Sequence, residues 1–479
     1  MDLLFFEIKN VFLPESLLLC FILFNIIFSL FFGKKFYKIS ERIALCAILI
    51  PMASMSLGVS NPGYTIFSEE FIQTDFTIVL KILILIGTLF TILLSQNLTK
   101  KLRFRAFEFY TILLISTFSA LCLVSANDFI PFFVALETLI ITNALLIGYW
   151  DKYQAKEASL KYLITSAIGM GFVLFGVSYL YGTSGELNFS MLYSHYYSQD
   201  TSILFVLAAI FIIAGLAFKT CCTPFQRWLP DTCQGASYPI AAYISTVPVI
   251  AAFGIMSRII ANIFTDAPFL QIIMSFMGII TVLYGFLGTI RQTNIKRFVA
   301  YSSIAQCGYM MLAVSVFSSY GTAAFIYYAI TYIFMNFGTW AAAITFVNST
   351  KSDEIKDYTG IFYVRPYYTA AFSICLISLA GLPPLAGFLS KLYLFTAVMR
   401  ADSSGLPILI CSVLTTVLGV FVYLNFLKKF FEKNKNAKCI IEEQMNTKIV
   451  LYFCSLLLIL TFFFANQIIW ISMFASLGI

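Results

Sequence analysis

Fourteen runs of apolar residues, separated by short polar connections, account for almost the whole of this chain. Their approximate limits are 12–32, 42–60, 76–96, 105–125, 128–149, 158–181, 202–222, 236–263, 267–290, 296–318, 321–347, 367–398, 405–427 and 449–474. A helix rises about 1.5 Å per residue, so roughly 20 apolar residues cross a ~30 Å hydrocarbon layer. The pattern predicts an all-α polytopic membrane protein of about 14 transmembrane helices. Two runs are interrupted. The seventh carries Lys219, then Pro224, then a polar knot of Gln226, Arg227, Trp228, Pro230 and Asp231. The twelfth carries Gly381-Leu382-Pro383-Pro384 and, shortly after, Lys391. Proline removes a backbone donor and breaks a helix, and a lysine at mid-bilayer costs about 3 kcal/mol on insertion scales. Both are tolerated where the backbone and amine face a protein interior or a wet cavity. A broken helix with a buried lysine in each half of a chain is the signature of an ion pathway built from internal repeats.

Charge orders these runs. Most of the 30 basic residues fall in connections after odd-numbered runs, among them Lys34, Lys100, Lys152, Arg227, Arg291, Lys351 and Lys428. The connections after even-numbered runs lean acidic, with Glu69, Glu70, Asp75, Glu186, Asp200 and Asp402. The positive-inside rule then puts both termini on the outer face. Composition agrees: 60% of the 479 residues are apolar and 11% charged, far below the roughly 25% charged of soluble domains. No polar stretch is long enough for a soluble domain, and the longest, 182–201 and 429–448, read as loops or a short lateral helix. The net charge of +7 resides at helix ends and is no nucleic-acid signature. Eleven cysteines lie mostly within apolar runs without metal-type spacing, and Cys221-Cys222 read as small fillers. The first run has no basic leader or cleavage pattern and reads as a retained span.

A few side chains can carry chemistry. Glu137 lies about nine residues into the fifth run, roughly 14 Å deep, with Asp128 as N-cap and Pro131 in the first turn. Midspan carboxylates are usually functional, though a helix-packing hydrogen bond is the plainer role. Lys219 and Lys391 adjoin the breaks; the alternative for each is to snorkel to the interface. Lys161 follows Glu157 at i,i+4, the orientation of a surface pair, and snorkelling and proton transfer both suit it. Lys81 lies near the start of the third run and reads as snorkelling. His195, the only histidine, reads as solvated; Trp228 and Asp231 read as packing and capping the break. Phosphate-binding glycine loops, haem or iron–sulfur spacings and nucleophile–base sets are missing from the sequence. A redox centre or nucleotide-driven motor within this chain is therefore not indicated.

The same residues carry a family resemblance. Ser125-Ala126-Asn127-Asp128 with Leu136-Glu137, and Glu157 to Tyr162, resemble the fifth and sixth helices of the antiporter-like subunits of respiratory complex I. Phe218-Lys219 through Pro224-Phe225, Trp228, Pro230-Asp231 and Gly235-Ala236 resemble the family's broken seventh helix. Lys296-Arg297 with Ala300 to Ile304 and Gly308-Tyr309 resembles the tenth, and Gly381 to Phe388 with Lys391 to Phe395 the twelfth. The similarity covers about residues 105–430. Lys391, where the most distal paralogue would have glutamate, sets the chain apart from that paralogue, and Arg105 to Phe109 looks closer to the mitochondrial form than to the plastid one.

The resemblance implies a single membrane domain over 1–479. It comprises three N-terminal spans (1–104), inverted five-helix repeats at 105–263 and 267–430 (spans 4–8 and 9–13), and a final loop and span (431–479). It implies a mitochondrial inner-membrane subunit, with both termini on the intermembrane-space side, that helps move protons as NADH reduces ubiquinone. Glu137, its paired Lys219 and the exit-side Lys391 would form the relay; the resemblance assigns no role to Lys161, for which proton transfer and snorkelling both stay open. Flavin mononucleotide, iron–sulfur clusters and ubiquinone would belong to other subunits, leaving no cofactor or metal here. Partners would be other membrane-arm subunits, accessory subunits and lipids such as cardiolipin, with no nucleic acid. Three positions depart from the pattern: Val249 replaces a lysine after Pro248, and Gln226 and Gln306 replace histidines. Water held by Ser245, Thr246 and Gln306 would have to carry protons there. Two other readings stay open: a coupling subunit without its own proton channel, and a subunit of a cation/proton antiporter.

Overall fold

The computed structural model describes residues 11–32, 37–56, 63–102, 105–150, 152–196, 203–265, 267–400, 405–432 and 445–478. In chain order the first helices are α1 (Leu13–Phe32), α2 (Tyr37–Ser56), α3 (Asp75–Leu102), α4 (Ala106–Ser125), α5 (Phe129–Gly148), α6 (Tyr153–Ser184) and α7 (Phe189–Tyr196). There follow α8 (Ile203–Lys219), α9 (Trp228–Gly235), α10 (Tyr238–Ile244), α11 (Val247–Ile263), α12 (Pro268–Ile290), α13 (Ile295–Val314) and α14 (Ser319–Thr350). The last are α15 (Ile361–Val364), α16 (Pro366–Ala380), α17 (Ala386–Arg400), α18 (Gly405–Phe431), α19 (Met445–Phe463) and α20 (Ala465–Ser476). Between α2 and α3 lies a hairpin, β1 (Tyr64–Ile66) antiparallel to β2 (Phe71–Gln73), with Thr65 opposite Ile72.

Each of the fourteen apolar runs contains helix among the described residues. Among the described residues, 11 helices are long and apolar enough to cross a membrane, counting α10 and α11 together as one. The other three runs differ for visible reasons. Helix α8 has 17 residues because it stops at Lys219, ahead of the proline. Helix α13 opens on Lys296 and Arg297, which lower its hydropathy. The twelfth run divides into α16 and α17 around Pro383-Pro384. Breaks were expected in the seventh and twelfth runs, and a third interruption, at Ser245-Thr246, separates α10 from α11. Pro248, second residue of α11, has no amide hydrogen and suits a helix start.

Helix starts follow capping chemistry. The Asp128 carboxylate accepts from the Ile130 amide at 2.7 Å, Asn294 accepts from the Lys296 amide at 2.9 Å, and the Ser318 hydroxyl accepts from the Gly321 amide at 3.2 Å. Within 182–201, Gly185 ends α6 in the left-handed region and α7 forms a short helix. His195 on α7 is half-buried, edge-on to Tyr196. Most of the 429–448 connection lies outside the described residues.

The chain divides into two compact units, one of Met1–Thr220, Val247–Leu270 and Phe474–Ile479, the other of Cys221–Thr246 and Gln271–Met473. In the first, α11 is buried along almost all its length, and α6 packs along α8. That pair approaches closely: a side chain at Gly215 would lie 2.6 Å from the Gly169 carbonyl, so only glycine fits. In the second, α14 is the central helix, packed by α13, α16, α17 and α19. Interior helices therefore hold most of the polar groups that lipid would penalise.

Candidate functional site

Helix α5 carries Glu137 at its ninth residue, near mid-helix. Glu137 is half-buried, and its carboxylate has no hydrogen-bond or ion-pair partner among the described residues. Its neighbours along the same helix face, Ile130, Val134, Ile141 and Leu145, are each more than half exposed. The carboxylate thus interrupts an apolar stripe on the flank of the unit. Lys219, the last residue of α8, is 5% exposed, and its amine donates to the Tyr162 hydroxyl and lies 4.9 Å from the centre of that ring. The Tyr162 hydroxyl also accepts from Asn143 at 3.3 Å, and Asn143 accepts in turn from Ser116 at 3.0 Å. The pairing of Glu137 with Lys219 implied by the resemblance is therefore not a direct contact. Tyr162 of α6 and Asn143 of α5 are what the amine's hydrogen-bond chain runs through. Lys161, one residue before Tyr162, points the other way and pairs with Glu157 at 2.7 Å on the exposed face.

The second unit holds Lys391, sixth residue of α17. Its amine donates to the carbonyls of Leu379 at 2.8 Å and Ala380 at 2.9 Å and lies 4.8 Å from the centre of the Tyr309 ring. Those carbonyls end α16, where no intrahelical donor remains and the helix dipole favours a cation. The break and the lysine explain one another: the prolines free the carbonyls, and the amine satisfies them. Gly381 makes the fit possible, with φ of 82° and the position of a Cβ 2.7 Å from Lys391 Cδ.

Polar residues of the second unit form a buried network of side chains. Ser245 accepts from Asn336 at 3.0 Å and from Trp340 at 3.2 Å; Asn336 also donates to Thr246 at 2.8 Å and accepts from Ser303 at 3.3 Å. Gln306 accepts from Tyr328 and donates to Tyr423 at 3.1 Å, while Tyr423 meets Ser302. Ser245, Thr246 and Gln306 are thus bound by protein groups. Val249, in the first unit, is wholly buried. Asp231, read from sequence as a cap, pairs with Arg297 at 2.9 Å; Lys296 donates to the Ala236 carbonyl at 2.8 Å, and Tyr238 donates to Asp353 at 2.6 Å.

Sequence reasoning passed over Tyr162, Asn143, Tyr328 and Asn336. The available signal was polar groups recurring at helical spacing within apolar runs, as at Tyr328, Tyr332 and Asn336. It also misread two cations. Lys81 does not snorkel but is wholly buried, and Arg258, whose burial in the eighth run the charge pattern did not reveal, is 2% exposed. Arg258 donates to the carbonyls of Val124 and Ala126 and to Asn127, fixing the turn that leads into α5 and Glu137.

Residues 126–419 match the family model described as NADH:quinone oxidoreductase/Mrp antiporter, TM. Subunit 2 of the NAD(P)H-quinone oxidoreductase of Synechococcus elongatus is 32% identical over 429 residues, 88% of this chain and 81% of that one. The chloroplastic subunit 2 of Mesostigma viride is likewise 32% identical, covering 88% and 84%. A chain of respiratory complex I from Thermus thermophilus superposes with a TM-score of 0.82 at 25% identity, over 95% of this chain and 98% of that one. A chain of the Mrp complex from Dietzia shares the fold at a TM-score of 0.84 and 17% identity, covering 97% of each. With its broken helices, buried lysines and midspan carboxylate, the chain belongs to the subunit 2 family of the NAD(P)H-quinone oxidoreductases, antiporter-like membrane subunits of the complex I type.

Proposed function

We propose that this chain is a core membrane-arm subunit of respiratory complex I and that it contributes to proton translocation coupled to NADH:ubiquinone oxidoreduction. The observation that carries this is Glu137: a carboxylate at mid-helix, in an exposed apolar stripe, without a partner among the described residues. Lipid would penalise it strongly, and a neighbouring membrane subunit with a cationic or polar group against α5 would not. Glu137 then trades partners across the subunit boundary. Lys219 senses that charge through Asn143 and Tyr162, and Lys391 acts as the exit-side amine. Lys161 serves at the exposed face with Glu157. The chain itself holds no cofactor in this reading, and flavin, iron–sulfur clusters and quinone belong to other subunits.

Replacing Glu137 by Gln in the assembled complex tests the reading. Proton output per electron falls while the complex still assembles; unchanged output and turnover refute a relay role. A second reading, a coupling subunit without a channel of its own, is favoured by the buried Val249 and by Gln306, held at both ends by tyrosines.

The finer assignments belong to the same proposal. A mitochondrial inner membrane is supported by Arg105 to Phe109 and by the abundance of Phe and Ile, and organelle fractionation with an antibody to the chain tests it. The distribution of basic loops supports both termini on the intermembrane-space side, which protease protection of terminal tags tests. Accessory subunits would cover the remaining exposed apolar flanks. A groove of about 530 Å³ between α4, α5 and α6, where Arg105 and Lys156 outnumber one carboxylate, Glu108, beside apolar Ile112 and Leu145, is where a lipid such as cardiolipin would sit.

A further inference from the structure

The relay proposed above does not use the first three spans, yet they enclose an ion pair. Lys81 Nζ lies 2.6 Å from Glu15 Oε1, with both side chains at 0% exposure, and also donates to Gln73 Oε1 at 2.7 Å. Three elements meet here: Glu15 is the third residue of α1, Gln73 ends β2, and Lys81 is the seventh residue of α3. The surroundings are held in place. Thr74 and Thr77 exchange hydrogen bonds at the start of α3, and the Phe12 ring packs edge-on against Phe67 and Phe71 of the hairpin region.

Two observations distinguish this cluster from a clasp between helices. First, its hydrogen-bonding capacity is not used up: Glu15 Oε2 and Gln73 Nε2 are buried with no hydrogen-bond partner among the described residues. An open acceptor and an open donor in one buried cluster suit a water molecule, which can donate to one and accept from the other. Second, the polar character continues along α3. Thr77, Lys81, Thr88, Thr91, Ser95 and Thr99 are all buried and fall within about an 80° sector of the helix at 100° per residue. From Lys81 to Thr99 that stripe runs about 27 Å at 1.5 Å per residue, close to a membrane's hydrocarbon thickness. Thr88 meets Thr117 at 3.1 Å, Thr99 meets the Tyr110 hydroxyl at 3.3 Å, and Gln96 beside it donates to Glu41. A clasp at one end of α3 needs none of this.

We propose that Glu15, Lys81 and Gln73 form a second proton-binding site, in the N-terminal three spans, that takes its proton from hydronium onto the Glu15 carboxylate. In the step, an O–H bond of hydronium breaks, the Glu15 Oε2–H bond forms and water remains. Lys81 keeps its proton, so the cluster passes from net zero to +1. The titratable groups facing Glu15 are Lys81 from α3 and the buried Cys122 thiol from α4. The site's service to a proton path rests on the proposed function; its proton chemistry does not.

The test is pH-difference infrared spectroscopy of the assembled complex in membranes, in H2O and D2O. The wild-type chain shows an isotope-sensitive protonated-carboxyl band that Glu15→Gln loses and Glu137→Gln keeps. Superimposable spectra of wild type and Glu15→Gln overturn the proposal. Should the single variant fail to accumulate, Glu15→Gln with Lys81→Met removes both charges at once, which buried pairs tolerate better than loss of one partner. A missing band in that double variant supports the site, and a retained one refutes it. Failure of the main reading would register separately, as unchanged proton output in Glu137→Gln.

Discussion

Substituting Lys391 by Met separates two roles that a buried amine can have. The amine makes two charge-assisted hydrogen bonds, to the carbonyls of Leu379 and Ala380. Methionine fills a similar volume but leaves both carbonyls without that donor. Each buried acceptor left unsatisfied costs about 1–3 kcal/mol, so the loss is roughly 2–6 kcal/mol. Against this, the variant no longer buries a charge, a saving of about 3 kcal/mol on insertion scales. The two effects largely offset, leaving a net change of no more than about 3 kcal/mol, within what a large assembled complex withstands. The expected outcome is a complex that assembles at near wild-type abundance on native gels and still reduces quinone. Its proton output per electron, read by dye quenching in sealed vesicles, falls. Full assembly with undiminished proton output would refute the relay role and leave Lys391 as a helix cap.

Other substitutions follow from the same geometry. Gly381→Ala places a Cβ against the Lys391 stem in a left-handed backbone, at about 1–2 kcal/mol for the conformation alone, so chain abundance should fall while Ala380→Gly is mild. Arg258→Ala removes a buried guanidinium from three acceptors and should lower abundance severely. Arg297→Ala breaks a part-exposed pair with Asp231 worth at most about 1 kcal/mol and should leave it nearly unchanged; quantitative blotting compares the two. Val249→Lys introduces an amine at a wholly buried position and should reduce abundance without raising proton yield; a raised yield in vesicles would show that only the central amine was lacking.

What the sequence by itself determined was the scaffold and the places where it is interrupted. Twenty-residue apolar runs have one stable arrangement in lipid, and the prolines at 224 and 383–384 interrupt helices, so the spans, a break ahead of Pro224 and the α16–α17 break were legible. Glu137, Lys219 and Lys391 were legible, for the same reason, as positions that lipid would penalise. What they touch was decided by tertiary structure. Glu137 and Lys219 sit in the fifth and seventh runs of the pattern; one faces the flank of its unit and the other meets Tyr162 of the sixth, because helix rotation and the close α6–α8 packing at Gly215 set which faces meet. Lys81 near a run's end looked able to reach headgroups. Only the folding of α1 and the hairpin over it, bringing a carboxylate 66 positions earlier in the chain within 2.6 Å, makes its burial tolerable. Periodicity reports how deep a residue lies along its own helix; its partners come from other helices, and no local pattern encodes them.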